Sequence, residues 1–286
     1  MNSKDKVEEI LSQIESDKEN GATYLAGRGL DVLEIFATSL EGDAQAAESS
    51  LQDLVKRISS IRPSMGAIRT QAMLAYRRAE ELVEKGISLP KALESAVAEE
   101  RKKLEEADQI IAEIAFEEMG SGGTIVTCSS SGTVKTVVQK LRPASILIGE
   151  GYPLGDGARA ARWFVQEGFD VKIVSDADLP TIVKGTRAVL VGADQVLADG
   201  SVVNRSSTLS LALSAQHFRV PFYVACQRIK FSGQNDVTIE EYTSNSVIET
   251  GVPTGIPLFD VTPPELIRKI LTEIGAMTPS QAGKVG

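Results

Sequence analysis

Val189-Leu-Val-Gly-Ala-Asp194, with the Gln195-Val-Leu-Ala-Asp-Gly-Ser-Val-Val-Asn204 that follows it, decides how this chain reads. The apolar run reads as a buried strand, and Asp194 falls where that strand leaves its sheet. A carboxylate in apolar surroundings is costly unless something pairs with it or uses it. Asp199-Gly200 predicts a tight turn. Asn204-Arg-Ser-Ser-Thr208 then leads into a helix. An acid, a base-bearing loop and a helix N-terminus thus fall in one short segment, as a phosphorylated small molecule requires.

The same alternation extends outward from this segment. Short runs rich in Val and Ile predict strands at Thr124 to Thr127, Ser145 to Ile148, Val171 to Val174, Ala188 to Val191 and Phe222 to Ala225. Helical spacing follows at Thr133 to Leu141, Ala158 to Glu167, Leu179 to Lys184 and Leu209 to Phe218. Strands alternating with helices build a parallel, doubly wound α/β sheet of the Rossmann-like kind. Near-continuous hydrophobicity fits strands covered on both faces. Ligands in such sheets bind beyond the carboxyl ends of the strands.

Residues 1–118 read differently. Apolar positions recur at three and four, as in Val7, Ile10, Leu11 and Ile14 and again in Leu104, Ile110, Ile111 and Ile114. Breaks at Asn20-Gly21, Glu41-Gly42, Arg62-Pro63 and Lys85-Gly86 divide the segment into about five helices of a bundle. Glu99-Glu-Arg-Lys-Lys103 mixes both signs of charge, as a solvated helix face does. Gly120-Ser-Gly-Gly123 forms a joint to a second domain over 119–286.

At 286 residues the chain is long enough for one large or two modest domains, and it needs no disulfide or metal staple. A net charge of −9 argues against non-specific nucleic-acid binding. Two cysteines, Cys128 and Cys226, lack metal-motif spacing and read as reduced thiols. The charged N-terminus has no apolar signal core, and no apolar run approaches the ~20 residues of a membrane span. A cytoplasmic protein with no membrane partner is expected.

The strand ends carry the chemistry. Thr127-Cys-Ser-Ser-Ser-Gly-Thr133 places small hydroxyl residues and a glycine at a helix N-terminus, which suits an anion; ordinary N-capping explains the same residues equally well. Gly149-Glu-Gly-Tyr-Pro-Leu-Gly-Asp-Gly-Ala-Arg159 is glycine-rich, but it lacks the G-x-G-x-x-G pattern after a first strand that a dinucleotide requires. His217, the only histidine, lies late in a helix and away from the strand ends. Cys226 reads as a buried strand residue and Trp163 as core packing. Asp176 and Asp178 read as caps for the helix at Leu179, and Asp176, at a strand end, is also within reach of a ligand.

These pieces, in order, resemble a known family. They are Ile125-Val-Thr-Cys-Ser-Ser-Ser-Gly-Thr133, Glu150-Gly-Tyr-Pro with Asp156-Gly-Ala-Arg159, Val174-Ser-Asp-Ala177, Val191-Gly-Ala-Asp194, Asn204-Arg-Ser-Ser-Thr208, Val220-Pro-Phe-Tyr-Val224, Lys230-Phe-Ser232 and Pro257-Leu-Phe-Asp-Val-Thr-Pro263. Gly21-Ala22 and Arg62-Pro-Ser-Met65 add to them. The chain resembles the family of initiation factor 2B regulatory subunits, methylthioribose-1-phosphate isomerase and ribose-1,5-bisphosphate isomerase.

The isomerase members open a cyclic sugar 1-phosphate and move a hydrogen between adjacent carbons, turning an aldose into a ketose. The resemblance implies that Asp194 is the acid–base group. Desolvation at a strand end raises a carboxyl's pKa toward that task. It further implies substrate or phosphate contacts by Gly21, Ala22, Arg62, Ser131, Gly132, Glu150, Gly157, Asn204, Arg205 and Lys230. No cofactor and no metal are expected, and a homodimer or larger homo-oligomer is.

Four positions depart from the family pattern. Aligned from Thr127 without a gap, Ser129 takes the place of the family's cysteine and Cys128 that of its histidine. A shift of one residue would present the Cys128 sulfur instead, and the plainer alternative is that Cys128 is a small buried apolar residue. Tyr152 replaces an arginine, exchanging a bidentate phosphate grip for one hydroxyl. Arg205 replaces a lysine. Two functions therefore stand open: an aldose–ketose isomerase of a phosphorylated pentose, or a non-catalytic initiation factor 2B-like subunit that binds a sugar phosphate or nucleotide as a regulatory ligand.

Overall fold

The computed structural model describes residues 2–17, 20–40, 44–63, 65–235, 237, 239, 241–243 and 255–285. They fall in two compact units, Met1–Ala107 and Asp108–Gly286.

The first unit is helical. It contains α1 (Ser3–Ser16), α2 (Ala22–Thr38), α3 (Ala44–Ser60), α4 (Gly66–Glu84) and the first part of α5 (Leu89–Met119). Asn2 starts α1 by accepting from the Asp5 N–H while the Asp5 carboxylate accepts from the Asn2 N–H, which satisfies two donors that a helix end leaves open. The breaks at Asn20-Gly21, Arg62-Pro63 and Lys85-Gly86 separate helices as their residues dictate; Glu41-Gly42 lies outside the described residues. The heptad-like spacing buries Val7, Leu11 and Ile14 of α1, and Leu30, Leu33, Ile58, Ile68 and Leu93 complete the interior. Each such aliphatic side chain contributes roughly 1.5–3 kcal/mol on full burial.

Glu100, taken with its neighbours as part of a solvated face, is buried. Gln71 Nε2 donates to its carboxylate at 3.1 Å and Lys103 pairs with it at 2.7 Å. A buried charge is tolerated only with such partners.

The second unit is α/β. Its strands are β1 (Thr124–Thr127), β2 (Ser145–Gly149), β3 (Val171–Val174), β4 (Ala188–Val191), β5 (Gln195–Val196), β6 (Val202–Arg205), β7 (Phe222–Ala225), β8 (Glu241–Thr243), β9 (Gly255–Pro257), β10 (Phe259–Thr262), β11 (Lys269–Thr272) and β12 (Gly275–Met277). Its helices after α5 are α6 (Gly132–Leu141), α7 (Asp156–Gln166), α8 (Thr208–Phe218) and α9 (Pro279–Ala282). A seven-stranded sheet runs β12-β11-β7-β4-β1-β2-β3, parallel except for β12. The central strand β4 is buried along its whole length, as a strand covered on both faces must be.

Two apolar layers sandwich the sheet. One joins Ile111, Ala112 and Ala115 of α5 to α6 and α7 through Val134, Val137, Val138, Ala160 and Phe164. The other packs Leu211, Ala212 and Ala215 of α8 on Val126, Val189, Val191 and Val224. The helix expected over Leu179 to Lys184 is only a 3-10 turn at Leu179–Ile182. Pro180 within it and Gly185 beyond it leave no room for a longer helix.

The tight turn at Asp199-Gly200 reverses the chain between β5 and β6, with Gly200 at φ +88. Those strands join β10 in a small antiparallel sheet beside the main one. Its strands pair residues from distant segments, so no local pattern separates this sheet from the parallel one.

Candidate functional site at the carboxyl ends of the strands

From β1 the chain builds outward through β2 to β3, then returns to the other side of β1 with β4. The connections after β1 and β4 therefore diverge, and it is between such connections, at the strands' carboxyl ends, that sheets of this kind hold their ligand crevice. The segments on its two sides are Cys128–Gly132 and Gly192–Asp194. They come very close: a Cβ added to Gly192 would lie 2.8 Å from Ser131 Cβ and Oγ. Ser131 meanwhile caps α6 by accepting from the Val134 N–H.

Asp194 is 8% exposed, and its backbone N–H is tied to the Val203 carbonyl of β6 at 2.9 Å. Lys230, after β7, is 5% exposed. Burial pushes its ammonium pKa down, and the carboxylate of Asp194 pulls it back up. Cys226 and Asp108 act in the same direction as Asp194. Asp108, on α5, accepts from Thr133 Oγ1 at 2.7 Å and from Gln227 Nε2 at 2.8 Å. It thus ties the start of α6 to the end of β7. Nothing in the sequence marked Asp108, which sits inside an amphipathic helix pattern.

Cys128 turns away from this group. It belongs with Val126 to the layer under α8, and Sγ lies 3.5 Å from Thr208 Oγ1. Burial pushes the thiol up to about 12, and the negative charges that add to this are Asp260, Asp156 and Asp176. It remains a protonated thiol at neutral pH. Ser129 is buried and holds a left-handed backbone, φ 61, at the turn from β1 into α6. Few non-glycine residues adopt that conformation, and those that do concentrate at functional turns.

The glycine-rich loop after β2 is shaped by its own backbone. A Cβ on Gly157 would lie 1.9 Å from the Gly149 carbonyl oxygen, so glycine there lets α7 start directly against the end of β2. Glu150 is exposed. Asp176 accepts from the backbone N–H groups of Gly151 and Tyr152 rather than capping the turn at Leu179, and Asp178 makes no side-chain cap there. Arg205 Nε pairs with Asp156 Oδ2 at 2.8 Å, and its guanidinium lies 5.2 Å over the Phe259 ring. Asn204 donates to Thr208 Oγ1 at 2.9 Å. Both carboxylate oxygens of Asp260 sit 3.1 Å from the Leu209 N–H at the start of α8. Burial raises this carboxyl to about 7. The phosphate-like position at α8 is therefore already met by an internal acid. Asp156 and Asp260 lie within the motifs that carry the resemblance, but their partners come from distant segments.

Gly21, Ala22 and Arg62 lie in the helical unit. Gly21 is the N-cap of α2, Ala22 is buried as its first residue, and Arg62 donates to the Asp17 carbonyl at the end of α1. His217 is exposed late in α8. Cys226 is buried with its thiol also pushed up to about 12. Among the described residues no group of three or more His, Cys, Asp or Glu side chains is arranged to hold a metal ion, and no helix is long and apolar enough to cross a membrane.

The sequence pattern of the initiation factor 2 subunit family matches residues 18–279. The chain belongs to that family. Within it, a putative translation initiation factor eIF-2B subunit 2-like protein of Pyrococcus furiosus is 31% identical over 96% of this chain and 97% of its own length. The ribose 1,5-bisphosphate isomerase of Archaeoglobus fulgidus is 26% identical over 97% of this chain and 91% of that enzyme. The crystal structure of the Pyrococcus horikoshii translation initiation factor eIF-2B superposes with a TM-score of 0.85 at 27% identity, covering 96% of this chain and 98% of that one. The family thus holds both sugar-phosphate isomerases and eIF-2B-like members, on the α/β architecture described above.

Proposed function

We propose that this chain binds a phosphorylated sugar in the crevice between β1 and β4 and isomerises it from aldose to ketose, with Asp194 as the acid–base group. The observation that carries this reading is a carboxylate and an ammonium, Asp194 and Lys230, both withdrawn from solvent at the strand ends and acting on each other electrostatically. A pentose 1-phosphate such as ribose 1,5-bisphosphate needs a proton at its ring oxygen to open. A hydrogen must then pass between C1 and C2. A carboxyl group in such surroundings is suited to give and take these protons. A facing ammonium stabilises the phosphate and the oxyanion that develops. Similarity to the Archaeoglobus fulgidus isomerase supports the substrate class.

The second proton-handling or positioning group is Ser129 in this reading. The Cys128 thiol, high in pKa and packed under α8, is unsuited to it. Ser131 and Gly132, at the N-terminus of α6, hold a phosphate by backbone N–H groups and helix dipole. The protein acts as a homo-oligomer, for which a C2 pair is the commonest closed form.

The test is turnover of ribose 1,5-bisphosphate and 5-methylthioribose 1-phosphate by wild type, Asp194→Asn and Ser129→Ala. Loss of general acid–base catalysis lowers the rate by roughly 10²–10⁴-fold. Turnover that Asp194→Asn leaves unchanged sinks the mechanism. The withdrawn Cys128 thiol favours a second reading, a non-catalytic subunit in which a sugar phosphate is a regulatory ligand. It predicts ligand-induced thermal stabilisation without turnover. The absence of any shift with these compounds counts against both readings.

A further inference from the structure

Helices α6 and α7 are successive connections on one face of the sheet, and both begin at the carboxyl ends of their strands. Their seam is complementary at its far end, where Gln139 Nε2 donates to Glu167 Oε2 at 2.9 Å. One turn nearer the strand ends, Lys135 Nζ sits 5.2 Å over the Trp163 ring. One turn before Trp163 on α7 comes Arg159. Its Nη1 donates to the Leu154 carbonyl at 2.8 Å. Its Nη2 is shut off from solvent and makes no hydrogen bond among the described residues.

Two cations therefore share the mouth of this seam. Among the described residues neither Lys135 nor Arg159 forms an ion pair. Four carboxylates at the starts and far ends of these helices and in the loops beside them are committed elsewhere: Asp108 to Thr133 and Gln227, Asp156 to Arg205, Asp176 to the Gly151 and Tyr152 N–H groups, Glu167 to Gln139. Burial lowers the Lys135 pKa, and the charge of Arg159 lowers it further. Each cation is the fourth residue of its helix and so stands in a first turn, at the positive end of a helix dipole. Like charges held together with a donor unused cost free energy unless an anion joins them.

We propose that Lys135 and Arg159 form a binding site for a phosphate group, free or carried on a small metabolite, between the first turns of α6 and α7. The site lies between β1 and β2, whereas the proposed isomerase crevice lies between β1 and β4. Arginine supplies a directional N–H donor for a phosphate oxygen, and lysine a mobile point charge. Two monovalent cations match a dianion in charge.

Trp163 is the one tryptophan of the chain, so its fluorescence reports on this site directly. The full chain is titrated with inorganic phosphate and, in parallel, with sodium chloride at matched ionic strength. The expected result is a saturable change in emission with phosphate alone, with Arg159→Gln and Lys135→Gln each weakening the apparent affinity at least tenfold. Ribose 5-phosphate against ribose then shows whether an ester is accepted as well as the free anion. Arg159 also holds the Leu154 carbonyl, so Lys135→Gln, which spares that bond, decides the matter if the arginine variant does not fold. A phosphate response absent from wild type, or kept at full affinity by Lys135→Gln, overturns the proposal.

Discussion

Replacing Gly192 by alanine tests whether the two sides of the crevice are packed as closely as the structure places them. The new methyl carbon would stand 2.8 Å from both Cβ and Oγ of Ser131. Ordinary van der Waals contact between carbons is about 3.5–4.0 Å, so Ser131 must retreat by nearly an ångström. Overfilling a packed site of this kind costs about 1–3 kcal/mol. Ser131 is also the N-cap of α6, accepting from the Val134 N–H at 3.3 Å, and that bond stretches as it retreats. A loss of about 2 kcal/mol lowers Tm by roughly 6 °C for a unit of this size. The assay is thermal and urea denaturation of Gly192→Ala, Ser131→Gly and the double variant. Ser131→Gly removes the clashing atoms and, as glycine is a fair N-cap, costs only a few tenths of a kcal/mol by itself, about 0.3. The double variant should then recover most of the loss. Wild-type stability in Gly192→Ala, or no recovery in the double variant, would refute the proposed packing of Ser131 over the segment that carries Asp194.

Two further outcomes follow from the buried ionisable groups. Burial pushes both thiols up to about 12, so at pH 8 iodoacetamide should leave Cys128 and Cys226 unmodified in the folded protein while labelling both in urea. Labelling of folded Cys128 at the rate of a free cysteine would contradict its place under α8. Asp260, raised to about 7, binds its proton more tightly in the folded chain than in the unfolded one. Its contribution to stability is therefore full below about pH 4 and is lost as pH rises through about 7. Asp260→Asn keeps an acceptor for the Leu209 N–H but cannot ionise. Urea denaturation between pH 4 and 8 should show the variant gaining on wild type as pH rises, and a constant difference would rule this out.

Much of the fold is legible from local pattern because its signals are local. The Val- and Ile-rich runs at Thr124–Thr127, Val171–Val174, Ala188–Val191 and Phe222–Ala225 are strands with the bounds their composition predicts; β4 and β7 are buried throughout as strands covered on both faces are, whereas β3, at the sheet edge, leaves Lys172 and Ile173 exposed. The helix misjudged at Leu179 shows the limit: the apolar spacing continues there, but Pro180 and Gly185 allow only a 3-10 turn. The small sheet of β5, β6 and β10 was not separated either, because its strands join residues far apart in the chain.

The site divides along the same line. By itself the sequence determined that Asp194 closes a buried strand, that Ser131 and Gly132 open a helix, and that glycines crowd the loop after β2, all matters of neighbours along the chain. Only the tertiary structure decided which partners those residues meet. It turned Cys128 toward Thr208 and α8, set Lys230 within the field of Asp194, paired Arg205 with Asp156, and brought Asp108 from α5 to Thr133 and Gln227. Cys128 still keeps the alternation of β1 and shares a layer with Val126, whereas Ser129 turns out of it in a left-handed conformation, so a displacement of one residue changes what the side chain meets. Which layer holds which chemistry depends on strand order and on where each helix returns, and no local pattern encodes that.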